Sequence, residues 1–160
     1  MDFKKIISMQ KQLDLNIEKT HKVKAEEVIN HKIVALIVEI AEFANEIQSF
    51  KYWKKNKNIN NELILEEFVD GIHFLLSLSI QKNSSTIIEP IVISNDEVLQ
   101  LGQIFLEASK LKEDFSKEQI EKTFGVYMGI AKIIGLKDKE IESFYIEKNK
   151  VNFKRLSTGY

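Results

Sequence analysis

Apolar residues recur along this chain at helical spacing. In "HKIVALIVEIAEFANEIQSF" (31–50), Leu36, Ile40, Phe43, Ile47 and Phe50 follow i, i+4, i+7, i+11 and i+14, which is one face of a helix. The run "LILEEFVDGIHFLLSLSI" (63–80) is apolar nearly all round, as expected of a helix at the centre of a bundle. Ser94 with Glu97, and Ser116 with Gln119, have the spacing of capping boxes, and Gly135 after "GIAKII" reads as a helix stop. Periodicity predicts about six helices, near 4–17, 24–50, 61–81, 95–112, 117–134 and 138–155. Pro90, in "KNSSTIIEPIVISND" (82–96), marks the one clear interruption; a short strand there would have nothing to pair with. The expected fold is an all-α antiparallel helical bundle, one domain over residues 1–160.

Composition narrows the function. The 160 residues, 44% of them apolar, suffice for one sizeable core. With no cysteine, disulfides, thiolate metal sites and cysteine nucleophiles are excluded, which fits a reducing compartment and makes the cytoplasm the expected location. No segment approaches the roughly 18 uninterrupted apolar residues of a membrane span. A net charge of −1 with mixed lysine and glutamate gives no basic stripe for a nucleic-acid polymer. Of the 23 cations only Arg155 is an arginine.

Three glutamates interrupt the apolar pattern. At about 100° per residue, Glu39, Glu42 and Glu46 form one line about a quarter-turn from the Leu36/Ile40/Phe43 stripe. Glu67, Asp70 and Phe74 form another, opposite Leu65, Phe68, Ile72 and Leu76. If "KYWKKNKNINN" (51–61) is a turn, the two helices pack antiparallel and their carboxylates converge. Two unit charges about 4 Å apart interact by about 4 kcal/mol even at an effective dielectric near 20, so a positive partner must sit between them. Lysine ammonium groups, protons and divalent cations all qualify; an all-carboxylate site suits Mg²⁺ or Mn²⁺. No histidine stands beside Glu39 or Glu42, against a Glu-x-x-His di-iron bundle, although His73 follows Asp70 at i+3. The plain alternative is a wet, charged helix face with lysine partners.

Glu39-x-x-Glu42, 24 residues, then Glu67-x-x-Asp70, with "FKYWK" (50–54) between and "DGIHFLLSL" (70–78) following, resembles the all-α, dimeric dUTP diphosphatases, related to the MazG-like nucleotide pyrophosphohydrolases. A second block, "YIEKNKVNFKRLSTGY" (145–160), is similar to that family's C-terminal Lys-Asn-x-x-Asn-x-x-Arg-x-x-x-Gly-Tyr signature. The resemblance covers nearly the whole chain, with 82–140 matching only as generic helices. Leu156 stands where a glutamine often follows the arginine, Asp14 lies near an expected asparagine, and the sequence ends at Tyr160 where longer members continue.

The resemblance implies that Glu39, Glu42, Glu67 and Asp70 hold Mg²⁺, with Mn²⁺ as a substitute, and that Glu39 or Glu42 orients and deprotonates the attacking water. It implies dUTP as substrate, with dUDP a second candidate, dUMP and pyrophosphate as products, and a homodimer. Phe74 resembles an aromatic platform against the nucleoside, and His73, Trp53, Lys54 and Gln10 resemble substrate contacts. Asn149 and Asn152, at i and i+3, offer the amide groups a uracil edge requires. Arg155 continues that line at i+6 with a guanidinium suited to phosphate; Lys148 and Tyr160 belong to the same block. Two other readings stand beside this one: a MazG-like enzyme acting on another nucleotide such as dCTP, and a helical binding module without catalysis.

Overall fold

The computed structural model describes residues 1–158, so Tyr160 lies outside the described residues. Six α-helices follow in order: α1 (Lys4–His21), α2 (Ile29–Ile47), α3 (Asn61–Gln81), α4 (Glu97–Lys110), α5 (Lys117–Ile134) and α6 (Asp138–Thr158). The fold is all-α.

Local chemistry sets the ends. The expected helix over 24–50 is divided: Ala25–Val28 is a 3₁₀ turn, and α2 stops at Gln48, which adopts a left-handed φ of 56°. Phe50 therefore falls outside α2 and is partly exposed rather than completing the buried stripe. Asn60 caps α3 by accepting from the backbone N–H groups of Glu62 and Leu63. For α4 the cap is Asp96, not Ser94: its carboxylate accepts from Val98 and Leu99, while the Ser94 hydroxyl accepts from Asp96. Ser116 caps α5 as expected, but the Gln119 side chain turns away to Glu107, so the box is half made. Gly135 ends α5 at φ 80°. Around Pro90 the chain does find a partner, since Asp2 and Ile87 form a single antiparallel bridge, with Phe3 N–H donating to the Thr86 carbonyl at 2.7 Å.

Contacts between α2 and α3 fix their relative direction. Phe43 meets Phe68, at 5.4 Å between ring centres, and Glu39 approaches Asp70. Farther along, Lys32 and Ser77 meet at Asp14 of α1. Rising numbers on α2 pair with falling numbers on α3, so the helices are antiparallel. The core between them is closed by α5, whose Tyr127 stacks on Phe68 at 4.5 Å and donates to the Phe68 carbonyl at 3.0 Å. Ile141 and Tyr145 bury one face of α6 against the bundle.

Glu107 of α4 shows how a buried carboxylate is held when no ligand is involved. Its side chain is 0% exposed, yet Gln103, Gln119, Lys110 and Lys122 all reach it. Burial works to raise its pKa, but those hydrogen bonds outweigh burial and hold it at about 2. Glu107 fastens α4 to α5, away from the acidic lines of α2 and α3.

Candidate functional site

Those lines are treated quite differently. One carboxylate oxygen each from Glu39, Glu67 and Asp70 lies within 4.8 Å of the others, all three residues being half-buried. Glu42, one turn beyond Glu39, is exposed and outside this trio, but close enough that its charge raises the pKa of both Glu39 and Glu67. Burial, then Asp70, Glu42 and Glu67, push Glu39 up to about 7; burial and the neighbouring carboxylates push Glu67 up to about 6. Asp70 is raised too, mainly by burial, although Lys148 opposes the shift.

Part of the positive charge required between the helices comes from α6. Lys148 Nζ donates to Asp70 Oδ2 and to Glu66 Oε1, each at 2.7 Å. Burial tends to deprotonate this lysine, and its two carboxylate partners outweigh burial and keep it charged. Lys148 offsets only part of the effect at Glu39 and Glu67, where burial and the neighbouring carboxylates keep proton affinity high. Three converging oxygen donors with unsatisfied negative charge fit a divalent cation that prefers oxygen. His73 is not among the converging ligand atoms, so a Glu-x-x-His di-iron arrangement is not formed there.

A cavity of about 400 Å³ opens from this cluster and runs between α1, α2, α3 and α6. Its wall includes Glu39 and Asp70 at one end. On α2 the same face continues through Ala35 to Lys32, and on α3 through Phe74 to Ser77. Ala35 and Phe74 both line the cavity between its two ends. At the far end, a buried hydrogen-bond network fixes the floor. Gln10 Nε2 donates to Asp14 Oδ1 at 2.8 Å, and Ser77 Oγ donates to Asp14 Oδ2 at 2.6 Å. Gln10 Oε1 accepts from the Tyr145 hydroxyl and lies 2.8 Å from His73 Nδ1. Since that amide oxygen can only accept, Nδ1 carries the proton and His73 Nε2 presents a lone pair. Burial holds the ring neutral, with its pKa lowered to about 3, and Nε2 has no protein partner.

Of the expected site residues, the cavity gathers Glu39, Asp70, His73, Phe74, Gln10, Lys148, Asn152 and Arg155. The lining face of α6 is Lys148, Asn152 and Arg155, at i, i+4 and i+7, and not the expected Asn149/Asn152/Arg155 line. Asn149 is buried on the neighbouring face with Ile141 and Tyr145. Trp53 and Lys54 are not brought to the cavity: Trp53 is largely exposed, packed edge-on against Phe50 and Tyr52, and Lys54 Nζ donates to Gln48 Oε1 at 3.1 Å. Lys32, Glu66 and Ser77 were not anticipated. Lys32 precedes Glu39 by seven residues and Ser77 follows Asp70 by seven, so extending each acidic line by two turns finds both.

Comparison with known proteins adds the chemistry. No curated protein matches the chain. A family model described as dUTPase matches residues 2–160, which takes in both acidic motifs, the cavity and the C-terminal block. The chain therefore belongs to the all-α dUTPase family, whose members are enzymes that hydrolyse dUTP.

Proposed function

We propose that this protein hydrolyses dUTP to dUMP and pyrophosphate with Mg²⁺ held by Glu39, Glu42, Glu67 and Asp70, Mn²⁺ serving as a substitute. The convergence of Glu39, Glu67 and Asp70 at one end of a nucleoside-sized cavity carries this reading. Bound there, the metal supplies charge neutralisation along the polyphosphate and an acidified water. The chain's own residues do the rest. Glu39 or Glu42 orients the attacking water and takes its proton. Cleavage of the α–β phosphoanhydride releases pyrophosphate. Lys148 and Arg155 line the α6 side of the phosphate end and favour its negative charge. Phe74 walls the middle of the cavity, where an aromatic face against the sugar leaves little room for a 2′-hydroxyl. Gln10 and His73 meet the base; Asn152, between Lys148 and Arg155 on α6, and Asn149 behind the wall are kept as substrate contacts, and Trp53, Lys54 and Tyr160 stay assigned to substrate by resemblance alone.

The test is pyrophosphate release from dUTP, dUDP, dCTP, dTTP and UTP, each with Mg²⁺ and with chelator. The expected result is Mg²⁺-dependent formation of dUMP and pyrophosphate from dUTP, with little turnover of dTTP or UTP. Preference for dCTP would retain the acidic cluster and overturn the uracil assignment. No turnover in the whole panel would favour a binding module without catalysis.

The family resemblance also implies a homodimer. Val34 and Val38 form an exposed apolar strip on α2 beside Glu39, which a second copy would cover. Light scattering should return twice the monomer mass of 18.6 kDa; a monomer at working concentration would contradict it. Among the described residues no helix is long and apolar enough to cross a membrane.

A further inference from the structure

Lys32 is an unusual group to find in this wall. Its side chain is only 14% exposed, and Nζ is buried without a hydrogen-bond partner although an ammonium has three donors to place. The nearest opposite charge is Asp14 Oδ2 at 3.8 Å, beyond hydrogen-bond reach. That oxygen already accepts from Ser77, and Oδ1 accepts from Gln10. Asp14 thus balances the charge of Lys32 without using its donors. A buried polar group left in this state is costly, so the geometry calls for an acceptor supplied from the cavity.

Position says which part of a nucleotide provides it. Lys32 and Glu39 share one face of α2 seven residues apart, about 10 Å along the axis. If the polyphosphate meets Glu39 and Asp70, Lys32 faces the opposite end of the ligand, the base. His73 lines the same cavity, and its buried Nε2 offers a lone pair without a partner. A donor from α2 and an acceptor from α3, both lining one cavity, suit a base such as uracil that carries C=O and N3–H side by side. Cytosine offers the reverse at N3 and C4, a lone pair and an amino group, and would leave both protein atoms opposed.

We infer that Lys32 is a specificity-determining residue, its ammonium hydrogen-bonded to a ring carbonyl of uracil with Asp14 as its fixed counter-charge. This rests on the dUTP reading of the cavity.

The test compares wild type with Lys32→Met, which keeps the unbranched stem as far as Cε and removes the donors. Two readouts are used: kcat and KM for dUTP and dCTP, and calorimetric binding of dUMP and of two analogues. One analogue has 4-thiouracil as its base and the other 2-thiouracil; each replaces one ring carbonyl oxygen by a poorly accepting sulfur and keeps N3–H. The expected result is a 10- to 100-fold rise in KM for dUTP, the scale of a lost charged hydrogen bond, with a smaller change in kcat and an eroded preference over dCTP. For the analogue lacking the contacted oxygen, wild type should already bind weakly and Lys32→Met should weaken it no further. An unchanged KM, or an equal loss of affinity for dUMP and both analogues, would overturn the inference and leave Lys32 as a structural partner of Asp14. If Lys32→Met fails to fold, the analogues alone decide, since wild type should discriminate against one of them by the same factor. Wild type that neither turns over dUTP nor binds dUMP would instead remove the underlying reading.

Discussion

Glu39→Gln is expected to lower kcat for dUTP by about a thousandfold, the scale of losing a group that manages charge in phosphoryl transfer, while making the metal-free protein more stable at alkaline pH. Opposite signs for activity and stability distinguish a functional carboxylate from a structural one. Glu39 has a pKa of about 7 in the folded protein against 4.5 for the ordinary side chain, so the folded state holds this proton more tightly. Its favourable contribution is complete below about pH 4.5 and is lost as pH rises through about 7. The buried neutral His73 works in the other direction, its pKa being lowered from 6.5 to about 3, so the pH profile of wild type alone mixes the two. The difference between variant and wild type isolates Glu39. Thermal melts in chelator should show Glu39→Gln gaining on wild type between pH 5 and pH 8. A variant less stable than wild type at pH 8 would mean that Glu39 has a favourable partner in the folded state.

Gly71→Val is expected to disrupt the scaffold directly beneath the site. A Cβ on Gly71 would lie 2.8 Å from Tyr127 Cζ and closer still to the hydroxyl. Tyr127 cannot withdraw easily, because it is fully buried, stacked on Phe68 and hydrogen-bonded to the Phe68 carbonyl. Overpacking of this kind costs about 3 kcal/mol, which for a chain of this length is roughly 6–12 °C in Tm. Because α3 must move away from α5, Asp70 is displaced as well, and kcat should fall by about a hundredfold even below the melting temperature. Unchanged melting and turnover would show that α3 and α5 have more freedom than their packing implies.

How much of this was legible in the sequence depended on periodicity. α3 and α5 coincide with their expected ranges because apolar rows and end signals agree there. α2 is shorter than its hydrophobic pattern, since the stripe counts side chains and takes no account of the left-handed turn at Gln48 that expels Phe50. Asp96 displaced Ser94 as a cap because two candidate caps stood two residues apart and spacing alone does not rank them. In the site, Glu39, Glu67 and Asp70 were visible because i, i+3 carboxylates stand on two consecutive helices, and α2 and α3 pack in a register that turns these three toward one another. Asn149 is buried beside the lining face of α6 rather than on it, because the buried and cavity-lining faces adjoin there and one residue's rotation separates them. Trp53 and Lys54 sit in the irregular segment 48–60, where periodicity carries no information about direction. Lys32 was overlooked as one of many lysines; only burial without a hydrogen bond distinguishes it.

The central claim is that the cluster of Glu39, Glu67 and Asp70 binds the divalent ions on which dUTP hydrolysis depends. Calorimetric titration of Mg²⁺ and Mn²⁺ into wild type and Glu39→Gln at pH 7, repeated in buffers of different ionisation enthalpy, tests it most directly. The account predicts saturable binding to wild type with release of protons, chiefly from Glu39, whose pKa of about 7 leaves it partly protonated at this pH, and weakened binding with less proton release in the variant. Metal binding of equal strength in both proteins, or none in wild type, would contradict it.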